Sequence, residues 1–126
     1  MKENEITEKI ISCAIKVHSA IGPGLLESVY ERVMAYELEK CGLRIEIQKP
    51  ISFSYENIVF DEGFRADVLV ENCVIIEIKS VKKIEDIHFK QLLSYLKLSK
   101  IKLGLLINFN EVLVKDGIKR VINGKI

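Results

Sequence analysis

Cysteine, proline and long apolar runs are scarce in this chain, and net charge of either sign is nearly absent. The three cysteines, Cys13, Cys41 and Cys73, are far apart and odd in number. They offer no CxxC pair for zinc and no even framework for a secreted disulfide scaffold. The expectation is reduced, buried thiols in a cytoplasmic protein. The N-terminal MKENEITEKI lacks the apolar core of a signal peptide. No apolar run approaches the ~18–20 residues of a membrane span, so no membrane partner is expected. A net charge of +1 argues against a binder that coats nucleic acid through surplus Lys and Arg. Repeats, low-complexity tracts and linkers are also missing. What remains is an ordinary globular balance, 48% hydrophobic and 29% charged, in a length of 126 residues, so residues 1–126 are expected to form one domain.

The near-zero charge hides a gradient. Residues 1–78 carry 8 Lys/Arg against 14 Asp/Glu, a net of −6, and residues 79–126 carry 11 against 4, a net of +7. Hydrophobic periodicity divides the chain into elements. A helical stripe over roughly 3–20 places Ile6, Ile10, Ala14, Val17 and Ile21 together, and Gly22-Pro23-Gly24 breaks it. A second helix over roughly 25–41 stops at Cys41-Gly42. Strands follow at 43–48 and 51–55, separated at Pro50, then at 60–70 and 74–80. A third helix is predicted over about 84–98. The apolar run LGLLINF, residues 103–109, reads as a strand buried on both faces. A short strand or helical turn ends the chain near 117–122. This order predicts an α/β (α+β) fold: a mixed sheet flanked by helices, two of them N-terminal and one after a central hairpin.

That hairpin is FRADVLVENCVIIEIKSV, residues 64–81. Its even positions, Phe64, Ala66, Val68 and Val70 on one strand and Val74, Ile76 and Ile78 on the other, are apolar. Strand side chains alternate faces, so a shared apolar face requires pairing centred on Asn72: 70 with 74, 68 with 76, 66 with 78. Asp67 then lies opposite Glu77, with Lys79 two residues on. Like charges across a strand pair are destabilising, and Leu69 and Ile75 make this second face partly apolar. A divalent cation supplies a reason for two carboxylates there; an Asp–Lys–Glu ion-pair ladder on a solvated face is the plainer alternative. The helices add polar groups on faces where burial is expected. Glu27 tops a stripe with Tyr30, Met34, Leu38 and Cys41, while His88, Gln91 and Tyr95 share a stripe beside Phe89, Leu92, Leu93 and Leu96. Convergence of such residues from four elements is the pattern of a site.

These residues resemble a family. GLLESVY, residues 24–30, is similar to the signature of the GxxExxY proteins, a bacterial and archaeal group within the PD-(D/E)XK nuclease superfamily. AIKVHSAIGPGLLESVYE, the RAD and EIK strands, QLLSYL and LGLLINFN extend the resemblance over nearly the whole chain. It implies a restriction-endonuclease-like core and a nuclease that hydrolyses phosphodiesters, in DNA by first expectation, with Mg²⁺ or Mn²⁺. Asp67, Glu77 and the backbone carbonyl of Ile78 would bind metal, with Glu27 completing the set. Lys79 would position or deprotonate water, or stabilise charge on phosphorus, and Gln91 and Tyr95 would match the QxxxY element of RecB-type nucleases. His18 is offered to metal or phosphate, or is simply a boundary histidine. Tyr30, His88, Lys82 and Lys83 are expected to contact substrate. Ala66 stands where the superfamily name has proline, and the four-cysteine iron–sulfur cluster of some RecB-type relatives has no counterpart. So short a chain has little surface for gripping a duplex, which makes a homodimer an expectation by analogy with the small junction resolvases. The competing expectation is a catalytically silent nucleic-acid-binding or regulatory module that keeps the fold.

Overall fold

The computed structural model describes residues 2–124; Met1, Lys125 and Ile126 lie outside them. Helix α1 (Glu3–Ile21) buries Ile6, Ile10, Ala14 and Val17 on its stripe, while Ile21, expected with them, is exposed at the helix end. Helix α2 (Glu27–Lys40) buries Tyr30, Met34 and Leu38. It ends at the predicted glycine: Gly42 has φ 84°, and the Gly42 and Leu43 N–H groups return to the Glu39 and Leu38 carbonyls. Only a residue tolerant of the left-handed region closes a helix this way without strain.

Five strands form one mixed sheet in the order β1-β2-β3-β4-β5. They are β1 (Ile45–Tyr55), β2 (Ile58–Val70), β3 (Val74–Lys79), β4 (Leu103–Asn108) and β5 (Ile118–Ile122). Helix α3 (Asp86–Ser99) carries the chain from β3 to the parallel neighbour β4, and the other pairings are antiparallel. A 3-10 turn (Val114–Gly117) precedes β5. Helices α1 and α2 cover one face with Val68, Val70, Val74, Ile76 and Ile78; α3 covers the other with Leu69, Ile75 and Leu106. Both faces of β3 and β4 are therefore buried, which is why those segments read as unbroken apolar runs.

Two expectations for the strands need correction. Pro50 does not end a strand; β1 runs through it, with Pro50 opposite Arg65. The sheet tolerates this because β1 is an edge strand, where a missing N–H need not break a ladder bond. The even positions of β2 also do not all share a face. Val68 and Val70 pack under α1 and α2, but Ala66 belongs to the α3 side and Phe64 stacks on Tyr95 of α3. The alternation changes phase at Asp67. The neighbouring strand does the same, since Ile45 packs with the α1–α2 core and Ile51 with the α3 core.

Candidate functional site

The hairpin register is the predicted one as far as the ladder runs: Val70 with Val74, Leu69 with Ile75, Val68 with Ile76. Beyond Val68 the ladder stops and side chains replace it. Glu77 Oε2 accepts the Asp67 N–H at 3.0 Å, and Asp67 Oδ2 accepts the Ile78 N–H at 2.8 Å. Each carboxylate thus satisfies a backbone donor on the opposite strand. This exchange, together with the phase change, draws the two acids to the junction between β2 and β3. It also accounts for an arrangement that simple cross-strand pairing would penalise.

The electrostatics are those of crowded acids. Burial, reinforced by the Asp67 charge, pushes the Glu77 carboxyl up to about 8. Burial also raises Asp67, against the lowering effect of its bond from Ile78. Lys79, half-buried at the end of β3, favours the ionised form of both. From the α3 side Tyr95 lies within their field: burial raises its phenol, and the charges of Glu77 and Asp67 raise it further. Its ring is held flat against Phe64, centroids 3.9 Å apart.

The remaining expected residues fall in different places. Glu27 is exposed, contrary to its expected burial, and it accepts the Ser80 N–H at 3.0 Å; Ser80 Oγ donates to the Leu25 carbonyl at 2.7 Å. The α2 N-terminus is thereby tied to the residue after Lys79. A surface depression lined by Leu25, Leu26, Glu27, Ser28 and Ser80 opens beside this tie. Gln91, Lys82 and Lys83 are exposed. His88 is half-buried, and its Nδ1 accepts the Glu85 N–H at 2.9 Å, closing the start of α3.

Two residues have other work. Tyr30 is fully buried and stacked on Phe109; its hydroxyl donates to the Gly22 carbonyl at 2.6 Å and accepts the Leu25 N–H at 3.1 Å. It pins the loop before α2 and presents no surface to a substrate. His18 is buried, with Nε2 2.8 Å from the Glu111 carbonyl. Its ring tethers α1 to the loop after β4.

Three contributors were not foreseen. Glu31, half-buried on α2, is bridged to Asp67 by the Gln48 side chain: Nε2 donates to Glu31 Oε1 at 2.7 Å and to Asp67 Oδ1 at 3.2 Å. Burial raises the Glu31 carboxyl, and the Asp67 charge adds to the effect. Its position four residues after Glu27, on the same helical face, was a usable signal. Asn108, at the end of β4, is fully buried. Its amide clasps Val81 on both backbone groups, accepting from N at 3.1 Å and donating to the carbonyl at 2.9 Å, and it also accepts from the Asn110 N–H. This fixes the segment after Lys79. Replacing Asn108 with Ala strands these backbone groups, and we expect a loss of about 1–3 kcal/mol in urea unfolding; an unchanged midpoint would show that water replaces the amide freely.

A family model of the PD-(D/E)XK nuclease superfamily matches residues 4–121, nearly the whole chain, and the chain belongs to that superfamily. Its members are usually nucleases that work with divalent metal ions. No curated protein and no solved structure gives a significant match. Among the described residues, no helix is long and apolar enough to cross a membrane.

Among the described residues no three His, Cys, Asp or Glu side chains are gathered closely enough to hold an ion as they stand. Yet the oxygens at the β2–β3 junction are hard donors, and Mg²⁺ is commonly held by one or two carboxylates with water completing its shell. Two adjacent acids, both raised by burial, suit such an ion.

Proposed function

We propose that the chain is a metal-dependent nuclease of the GxxExxY type that hydrolyses phosphodiesters in DNA using Mg²⁺ or Mn²⁺. The observation that carries this is the meeting of Asp67 and Glu77 where β2 and β3 separate, with Lys79 beside them. Asp67, Glu77 and the Ile78 carbonyl would hold the cation, with Glu27 contributing from α2. The cation would neutralise phosphate charge and acidify the attacking water. Lys79 would hold or deprotonate that water, or offset charge developing on phosphorus. Tyr95, fixed by Phe64, lies in the field of the two acids; it and Gln91, one turn earlier on α3, would orient the lysine, the water or a phosphate. Lys82, Lys83 and His88, through its Nε2, would meet the backbone of the substrate. A homodimer is the assembly expected for so small a chain.

The test is cleavage of labelled single-stranded, duplex, flap and branched DNA, and of RNA, with Mg²⁺, Mn²⁺ or EDTA, and with Asp67→Asn as control. We expect cation-dependent cleavage that falls by about 10²-fold or more in the variant, since each ~1.4 kcal/mol of lost stabilisation is tenfold in rate. Cleavage unaffected by Asp67→Asn marks a contaminant. Binding without cleavage of any substrate supports the silent module instead.

A further inference from the structure

Among the described residues, five other than glycine have positive φ: Gln48, Glu56, Glu71, Asn72 and Lys100. Glu56 lies in the β1–β2 turn, Glu71 and Asn72 in the β2–β3 turn, and Lys100 caps α3. Turns and caps require that conformation. Gln48, at φ 51°, is the one inside a strand. The register from Ile47–Val68 to Lys49–Ala66 brackets it directly opposite Asp67. It is also the point where β1 turns over, with Ile45 packing on one face and Ile51 on the other.

A corner of this kind needs only a residue at ease in the left-handed region, and glycine would serve best. A long amide in that conformation is strained without benefit to the corner itself. Its side chain supplies the benefit. One Nε2 donates to two carboxylates from different elements, Glu31 of α2 and Asp67 of β2. An amide NH₂ has two protons, so both bonds are made at once. Asp67 is then held on both oxygens: Oδ2 by the Ile78 N–H and Oδ1 by Gln48. Both bonds are solvent-exposed, so water can take the place of the Gln48 amide at Glu31 and Asp67 with little loss to the fold.

We propose that Gln48 is a positioning residue for Asp67, setting the carboxylate's orientation and linking it to Glu31; the inference rests on the nuclease reading above. Residues that orient metal-ligating carboxylates are worth about 10–100-fold in metal affinity or activity. Gln48→Gly separates positioning from folding, because glycine relaxes the backbone while removing the amide. The expected result is a thermal midpoint equal to or above wild type without divalent cation. It is accompanied by a kcat about 10–100-fold lower with KM little changed, and a matching rise in the Mn²⁺ concentration that half-stabilises the fold. Gln48→Asn, which accepts the backbone but falls short of bridging both carboxylates, should lose the same functions. A metal-free readout is the Gln48 side-chain amide in ¹⁵N spectra, expected to shift with Glu31→Ala and with Asp67→Asn but not with Glu62→Gln. Wild-type kcat and Mn²⁺ response in Gln48→Gly, in an otherwise active protein, overturn this inference alone. A wild type that neither cleaves nor responds to Mn²⁺ overturns the nuclease reading and this inference with it.

Discussion

Replacing Glu77 with Gln should abolish cleavage and, without divalent cation at pH 8, make the protein more stable. The two effects share one cause. Burial and the neighbouring Asp67 charge push the Glu77 carboxyl up to about 8, far above its ordinary value of 4.5. The folded protein therefore holds this proton while the unfolded chain releases it near pH 4.5. Between these values the unfolded state gains ground, so stability falls as pH rises from about 4.5 to 8 and the full penalty applies above 8. The penalty is at most about 5 kcal/mol, at roughly 1.4 kcal/mol per unit. Glutamine cannot ionise, yet its side-chain carbonyl still accepts the Asp67 N–H. The variant should melt by as much as roughly 15 °C above wild type at pH 8 and level with it near pH 4.5. Mg²⁺ or Mn²⁺ should raise the wild-type midpoint at pH 8 and leave the variant nearly unmoved, because binding to the folded state alone stabilises by mass action. Cleavage should fall by about 10³-fold or more, the several kcal/mol that a cation contributes at phosphorus. A variant that melts below wild type at pH 8 would remove the electrostatic account, and one that cleaves normally would remove Glu77 from the site. Such opposition between stability and activity is common where charged groups are held together for function.

The repeat of apolar residues carried most of the fold. Paired alternation in 64–70 and 74–78 set the β2–β3 register, and the runs at 74–78 and 103–109 marked central strands, because burial on both faces leaves no room for polar alternation. The same parity rule misled at Ala66. A phase change at Asp67 moves Ala66 to the other face without altering a single residue class, so no pattern announces it. Gln48 was hidden for a related reason: its left-handed backbone belongs to the corner where β1 turns over and is not a preference of glutamine. Asp67, Glu77 and Lys79 were legible as candidates because charge on a largely apolar face is costly; the same argument placed Glu27 on a buried stripe, and it is exposed. Tyr30 and His18 were legible as special but not as to role. Nothing in their spacing distinguishes a side chain that pins a loop from one that meets a ligand, until the Gly22, Leu25 and Glu111 backbone groups are seen to be their partners.

Lys79→Met should also abolish cleavage, but with the opposite effect on the cation-free protein. Lys79 ends β3 beside Asn108, and its carbonyl accepts the Phe109 N–H at 2.9 Å, so its backbone is fixed whatever the side chain. Methionine keeps most of the aliphatic stem and removes the ammonium. That charge is what favours ionisation of both Asp67 and Glu77 against burial. Without it the carboxylates lose a compensating partner, and the midpoint at pH 8 should fall where that of Glu77→Gln rises. In the double variant the loss should shrink, since the carboxylate that Lys79 offsets is already neutral; such non-additivity marks groups in direct electrostatic contact. The rate should drop by about 10²–10⁴-fold, the usual contribution of a positioned proton-transfer group, with cation binding retained. Lys79→Arg then sorts the possible roles of the ammonium. Arginine keeps the charge but does not give up its proton in a protein, so substantial activity in Lys79→Arg assigns Lys79 to charge stabilisation. Loss as deep as in Lys79→Met assigns it to proton transfer or to a placement of water that the larger guanidinium cannot reproduce. Cleavage by Lys79→Met within threefold of wild type, in a preparation that Glu77→Gln inactivates, would take Lys79 out of the reaction.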